Sequence, residues 1–242
     1  MYCPRCQATQ YIKYGLVNSV QRYRCNNCQY QWTRTTPRGH PMQNKRLAVL
    51  LYCHGISMNA ISKMFSISVT SVLKWIRTFA QQHAQKEQVS KGQCVVLELD
   101  EMWHYIGNKK NKLWIWKVFD RNSGYLIEWE CGARDKATLE KLISRLSHLD
   151  IQNYYTDKWH VYESVLPSCK LEQTKSETHH IERNNCLMRH WLGRFKRKSI
   201  IVSKSKEMVD LTISLFARFR TNGDVFDILN IGENHKQIPL LS

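Results

Sequence analysis

Four cysteines and three carboxylates are the residues of this chain whose types and spacing can do chemistry. Cys3, Cys6, Cys25 and Cys28 form a C-x2-C-x18-C-x2-C pattern. Two such knuckles supply four thiolates, the donor set of a tetrahedral structural Zn²⁺ site. A redox C-x-x-C pair is the alternative, and two pairs at this interval with no βαβ pattern favour metal over it. Four thiolates leave no open position for a water, so this zinc is expected to hold structure and take no part in catalysis. The carboxylates are Asp100, Asp157 and Glu182. Mg²⁺ takes oxygen ligands of this kind, together with waters and substrate phosphates. Two such ions about 3.5–4 Å apart activate an attacking oxygen and stabilise a leaving one. The chemistry within reach is therefore in-line displacement at a phosphodiester, with no covalent enzyme intermediate.

Each carboxylate needs an element to position it. Read at 100° per residue, residues 178–199 form an amphipathic helix with Ile181, Met188, Leu192 and Phe195 on one face and Trp191 at its edge. Glu182 lies well off that face, close to the meridian of Arg189, Gly193 and Lys196. From Arg183 through Lys206 there are eight Lys/Arg and no Asp/Glu, so one acid heads an otherwise cationic surface. A solvated basic helix with an ordinary glutamate is the plain alternative.

Upstream, Cys94-Val-Val-Leu-Glu-Leu-Asp100-Glu101 is an apolar run ending in acids, as in a buried strand whose tip carries a site. Alternation puts Glu98 and Asp100 on one face and Glu101 on the other, and choosing Asp100 is a choice of register. Residues 112–120 and 125–131 alternate at period two around the turn Asn122-Ser123-Gly124. Residues 137–149 read as a helix, 151–156 as a strand ending at Asp157, 171–175 as a fifth strand and 206–220 as a closing helix. Three antiparallel strands followed by parallel additions through helical crossovers is the ribonuclease H-like layout. It sets the first and fourth strands side by side and brings Asp100 to Asp157. Asp157 could instead cap the next helix. His179 and His180 read as capping or phosphate-contacting residues, the tryptophans mainly as core, and Cys131, Cys169 and Cys186 as buried thiols.

Charge is unevenly placed. Of a net +16, residues 1–91 hold 13 Lys/Arg against the single acid Glu87, and residues 92–242 hold 23 against 19. A basic first third suggests an arm that grips a polyanion, and nucleic acid fits better than a membrane surface because no amphipathic anchor is present. No apolar run spans a bilayer, and the start M-Y-C-P-R-C lacks a signal-peptide core. The expected setting is cytosolic, with thiols rather than disulfides. After the breaker-rich stretch at 35–41, residues 45–54 read as a helix with Leu47, Leu50 and Leu51 inward, ended by Gly55. Ser57 then caps a helix to about Phe65, with Ile61 and Met64 or Phe65 inward. After a turn at 66–68 a third helix carries Val69, Val72, Leu73, Ile76 and Phe79. This helix-turn-helix pattern would present Thr70, Ser71, Lys74 and Arg77 to DNA, although any three-helix bundle shows the same periodicity.

These residues together resemble the transposases of the bacterial insertion-sequence-one family. The resemblance rests on the cysteine ribbon, the helix-turn-helix, L-D100-E-M-W, Y-T-D157-K-W, H-I-E182-R-N-N and the basic run with S203-K-S-K after it. It implies an Asp-Asp-Glu catalytic core of ribonuclease H (retroviral integrase) type at Asp100, Asp157 and Glu182, with Mg²⁺ as cofactor and Mn²⁺ as a substitute. It implies cleavage at transposon ends and joining of the 3′-OH to target DNA. Arg183, Arg189, Arg194, Lys196, Arg197 and Lys198 would hold the backbone, while ribbon and helix-turn-helix read the terminal inverted repeats. In that family the full enzyme often arises by frameshifting. The expected organisation is a multidomain α+β chain: zinc ribbon 1–36, helix-turn-helix domain 42–84, linker 85–93, catalytic domain 94–223 and tail 224–242. Double-stranded DNA is the expected partner, in a homo-oligomer that is at least a dimer, in the bacterial cytoplasm at the nucleoid. The competing readings are a non-enzymatic DNA-binding regulator and another ribonuclease H-like nuclease of the resolvase type.

Overall fold

The structure, a computed structural model, describes residues 1–33, 39–84, 86 and 94–231, and divides into two compact units, Met1–Pro41 and Met42–Ser242. Most of the expected linkers and the tail beyond Ile231 lie outside the described residues.

In the first unit, β1 (Tyr11–Val17), β2 (Val20–Cys25) and β3 (Gln31–Trp32) form an antiparallel sheet in that order. Asn18 and Ser19 both take positive φ, as a two-residue hairpin turn matched to strand twist demands. The core is small: Cys3, Cys25 and Trp32, with Tyr11 and Tyr23 packed beside them.

The second unit opens with α1 (Met42–Cys53), α2 (Met58–Phe65) and α3 (Val69–His83). Ser57 and Ser68 cap α2 and α3 by accepting from the Ala60 and Ser71 amides, which satisfies otherwise orphaned donors. Ser66, left-handed at φ 53, ends α2 and turns the chain into α3. There follow β4 (Cys94–Tyr105), β5 (Lys112–Asp120), β6 (Tyr125–Gly132), α4 (Lys136–Ser144), β7 (Asp150–Thr156), the short α5 (His160–Glu163), β8 (Leu171–Gln173), α6 (His179–Trp191), α7 (Lys206–Phe216) and α8 (Asp227–Asn230). The sheet order is β6-β5-β4-β7-β8, with β4, β5 and β6 antiparallel and β7 and β8 parallel to β4. This is the order and sense expected from the sequence. Alternation along the strands sorts the core into two layers. Val95, Leu97, Leu99, Trp116 and Val118 pack with α4 and α5 on one face, and Met102, Ile115 and Trp129 with α6 and α7 on the other. A third cluster joins α1–α3 to Met208, Leu215 and Phe219 and to Ile228 of α8.

Several local expectations need correcting. The helix expected over 178–199 stops at Trp191, and a 3-10 turn at Gly193–Phe195 follows. Ile181, Met188, Leu192 and Phe195 nonetheless share one core. In α1 Leu50 is buried and Leu51 packs on the core as expected, Leu47 is exposed, and Ala48, Val49, Tyr52 and Cys53 are buried as well. In α2, Met64 is exposed and Phe65 packs inward. α7 ends at Phe216, with a π turn continuing to Thr221. Cys131 is buried as expected, whereas Cys169 and Cys186 are exposed. None of the nine cysteines is in a disulfide. Among the described residues no helix is long and apolar enough to cross a membrane.

Candidate active site

β4 is the central strand, and its acids part to either side of the sheet. Glu101 belongs to the α4–α5 face. Its Oε1 accepts from Arg134 Nε and Nη2 at 2.8 and 2.5 Å, and its Oε2 from Tyr162 Oη at 2.8 Å. The Arg134 guanidinium in turn stacks over Trp159 and Trp114. Glu98 belongs to the α6 face and is fully buried. Its Oε1 meets Arg121 Nε at 2.9 Å and His180 Nδ1 at 2.6 Å, and its Oε2 accepts from the Ile181 amide at 2.9 Å. A carboxylate at the first turn of α6 complements the helix dipole and an orphan amide at once. Arg121 also donates to the Glu177 carbonyl at 2.5 Å and pairs with its carboxylate at 2.9 Å. Glu98 therefore pins the start of α6 to the sheet.

Asp100 lies between these anchors. In register it faces Lys117 of β5, and Glu98 two residues earlier faces Tyr155 of β7. Continuing that parallel register carries Asp157, just past the end of β7, beside Asp100. Across the face, Asn185 Nδ2 of α6 donates to Asp100 Oδ2 at 2.5 Å. Burial first, then the Glu101 and Asp157 charges, push the Asp100 carboxyl up to about 6, with Lys117 opposing. Lys117 is fully buried and donates to Asn184 Oδ1 at 2.5 Å. Its amine is brought down to about 7, chiefly by burial, with Asp100 working against the shift and Arg189 with it. Charges so desolvated keep their form only beside a partner.

Asp157 is half-buried and its Oδ1 accepts from the Trp159 amide at 3.0 Å. Its carbonyl accepts from Thr156 Oγ1 and Gln173 Nε2. Glu182 is exposed in the first turn of α6, where Thr178 Oγ1 donates to its Oε1 at 3.5 Å. It precedes Asn185 by three residues, hence on the same side of the helix. Asp100 sits midway along β4, which runs on to Tyr105 rather than ending at the acids as expected, while Asp157 lies just past the end of β7 and Glu182 in the first turn of α6. The oxygens are spread more widely than a collapsed metal site. Among the described residues the groups whose ligand atoms all lie within 4.8 Å are the four cysteines and Glu98–His179–His180. The donors of the three-carboxylate set are all oxygens, as a hard divalent cation requires.

The four cysteines fit zinc. Sγ of Cys3 and Cys28 stand 3.6 Å apart, as do those of Cys6 and Cys25. Four sulfurs about 2.3 Å from one ion would be roughly 3.8 Å apart. The Arg5 and Cys28 amides point at the sulfurs of Cys3 and Cys25.

The candidate DNA contacts differ in environment. Thr70 and Ser71 hydroxyls bond Ser68 Oγ in the α3 cap at 2.8 and 2.9 Å. Lys74 is exposed, and Arg77 pairs with Glu207 at 3.2 Å. Arg183, Lys196, Arg197 and Lys198 are exposed and Arg189 is half-buried. Arg194 departs from the rest: it is buried, lies over the Tyr52 ring and donates to the buried Ser203 Oγ at 3.4 Å. Sequence reasoning missed Lys117, Asn184, Asn185 and the Glu98 clamp. Only the unusual N-N after Glu182 and a lysine inside an apolar strand signalled them.

Similar proteins were found by sequence and by structure. Over 126 residues, 52% of this chain, it is 36% identical to insertion element IS1 protein InsB of Shigella flexneri, covering 96% of that protein. Identity is again 36% over 126 residues to insertion element IS1 2 protein InsB of Escherichia coli (strain K12), covering 75% of it. In the solved simian T-cell lymphotropic virus intasome in complex with PP2A regulatory subunit B56 gamma, one chain aligns at a TM-score of 0.40 and 10% identity. That alignment covers 82% of this chain and 77% of the other, a likeness too low to carry an argument. Residues 93–221, from β4 to the π turn after α7, match the IS1 transposase family, and the chain belongs to that family.

Proposed function

We propose that this protein is a DNA transposase that binds the terminal inverted repeats of its own insertion sequence, cleaves the ends and joins the 3′-OH to target DNA. Asp100, Asp157 and Glu182 hold Mg²⁺, for which Mn²⁺ substitutes. The observation that carries the reading is the meeting of β4, β7 and α6, where Asn185, one turn beyond Glu182, bonds Asp100 beside Asp157. The sheet order supports a ribonuclease H-like core of the integrase type over 94–223. When bound, the cations would stabilise charge on the attacking and leaving oxygens of an in-line displacement. The chain's own residues do the rest. Lys117 offsets the buried Asp100 charge, and Glu98 fixes the helix that bears Glu182. Arg183, Arg189, Lys196, Arg197 and Lys198 grip phosphates, while Arg194, turned inward onto Tyr52 and Ser203, is left out of that grip. The zinc ribbon (1–36) and the helix-turn-helix (42–84), through Thr70, Ser71, Lys74 and Arg77, read the ends. Because two ends must be held together, the working form is a homo-oligomer, at least a dimer.

The test uses a labelled duplex carrying the element's own end, a target plasmid and Mg²⁺ or Mn²⁺, comparing wild type with Asp157→Asn. Gel shift checks that both proteins bind. Metal-dependent nicking and joining by wild type alone is the expected result. Equal binding with no cleavage by either would favour a regulator, and cleavage by both would remove Asp157 from the site. Cutting of branched DNA without regard to end sequence, and without joining, would favour a resolvase.

A further inference from the structure

Asn185 is the one residue of α6 that hydrogen-bonds Asp100, through Nδ2 at 2.5 Å, and its other polar atom is unaccounted for. Oδ1 is buried and has no hydrogen-bond partner among the described residues. A buried amide oxygen without a donor is costly, and a native fold keeps such an atom where something else satisfies it. The neighbouring asparagine makes the contrast. Asn184 uses both ends of its amide, accepting from Lys117 and donating to Thr221 Oγ1 at 3.0 Å. Two adjacent asparagines thus face the same carboxylate–lysine pair, one saturated and one half-used. The half-used one stands one turn from Glu182.

We propose that Asn185 is a positioning residue of the cation site: its Nδ2 fixes the Asp100 carboxylate, and its Oδ1 contributes an oxygen to the shell of the bound divalent ion. The inference rests on the reading of Asp100 as an ion ligand. Amide carbonyls are ordinary oxygen ligands of hard cations, and partners that orient a ligand commonly govern affinity by about 10–100-fold. An amide gives an oxygen without adding a fourth negative charge to Asp100, Asp157 and Glu182.

The test is Mn²⁺ binding to the zinc-loaded full chain without DNA, followed by the loss of the free-ion paramagnetic resonance signal. Wild type is compared with Asn185→Leu, Asn185→Asp and, as reference, Asp100→Asn, with thermal unfolding without Mn²⁺ run in parallel. Asn185→Leu is expected to weaken Mn²⁺ about ten-fold or more while its midpoint without Mn²⁺ stays level or rises. Asn185→Asp, which keeps an oxygen but loses the Nδ2 donor, is expected to bind Mn²⁺ more tightly than Asn185→Leu. Unchanged Mn²⁺ affinity in Asn185→Leu, with binding lost in Asp100→Asn, overturns the role of Asn185 and leaves Asp100 a ligand. Unchanged binding in Asp100→Asn overturns the cation reading itself, and this inference with it. Equal affinities of Asn185→Leu and Asn185→Asp overturn the Oδ1 contribution. If the leucine variant does not fold, Asn185→Ala takes its place, and wild-type Mn²⁺ affinity in that variant overturns the proposal.

Discussion

His104, at the far end of β4, is buried with Nε2 2.8 Å from Ser203 Oγ. Burial first, then the Arg194 and Arg189 charges, bring its imidazole down to about 4. Between pH 4 and 6.5 the unfolded chain therefore binds a proton that the folded chain refuses. Stability from this group is complete above about 6.5 and is lost as pH falls toward 4. At pH 5 the loss is about 2 kcal/mol. Urea unfolding of wild type and His104→Gln at pH 7 and 5 should show wild type losing stability more steeply, and parallel losses would remove His104 as the cause. Glu98 makes a second case. Its carboxylate holds Arg121, His180 and an α6 amide with no exposure of its own, so Glu98→Ala leaves the buried Ile181 amide unmatched and removes a partner from the partly exposed Arg121 and His180. An unfolding free energy lower by about 1–3 kcal/mol is expected, and no measurable loss would show that the clamp is slack. These roles mark the reach of sequence reading at this scale. Alternation alone put Glu98 and Asp100 on one face and Glu101 on the other. What separates their work is partners such as Arg121, Arg134, Lys117 and Asn185, which meet them only once β5, β6 and α6 are in place.

At the scale of elements, the ends of α1 and α6 interlock through two glycines. Gly55 has φ +84, and a Cβ there would stand 2.5 Å from the Trp191 carbonyl oxygen. A Cβ on Gly193 would meet the Gly55 carbonyl oxygen at 2.9 Å and Ile201 Cδ1 at 2.7 Å. Gly55→Ala thus forces both a left-handed alanine and a clash with rigid backbone. A loss of about 2 kcal/mol or more is expected in denaturant unfolding; a neutral substitution would mean that the two ends part freely. The same contact explains why α6 is shorter than its periodicity. Apolar positions continue at Leu192 and Phe195, so the pattern reads as helix to residue 199. Gly193 permits the close approach to Gly55, and the chain turns there while still delivering Phe195 to the same core. Periodicity reports which residues face inward; the approach of another element decides where the helix stops. In α1 the buried face is wider than the leucines imply. Besides its contacts with α2 and α3, α1 packs against α8 and joins a core that includes Met208, Leu215 and Phe219, so Ala48, Val49, Tyr52 and Cys53 are buried beside Leu50, while Leu47 faces out.

At the scale of the whole molecule, the buried core of the first unit is Cys3, Cys25 and Trp32, so that apart from the cysteines themselves one buried side chain remains, too little to fold unaided. Stripping zinc from the full chain with a chelator should abolish the protected β1–β3 amides in hydrogen exchange and leave those of β4–β7 unchanged, and ribbon protection that survives chelation would contradict a metal-built fold. The second unit behaves in the opposite way, because its core is shared. The polar stretch after α3 reads in sequence as a joint between a DNA-binding bundle and a catalytic body. Yet Ile61, Val72, Ile76 and Phe79 of the helices pack in one cluster with Met208 and Leu215 of α7, Phe219 and Ile228. Composition could show the polar stretch but not this cluster, since its members are more than a hundred residues apart. A fragment starting at Cys94 would bare the side of α7 and α8 that α1–α3 cover, a contiguous apolar surface of the kind that drives association. Expressed alone, residues 94–231 are therefore expected to bind a hydrophobic dye, to self-associate in light scattering and to melt below residues 42–231. Supplying residues 42–84 in trans should reverse all three. A fragment that is monodisperse, dye-free and as stable as the longer chain would show that the bundle is a separable reader of DNA. The shared core would then be a docking contact between two domains that fold independently.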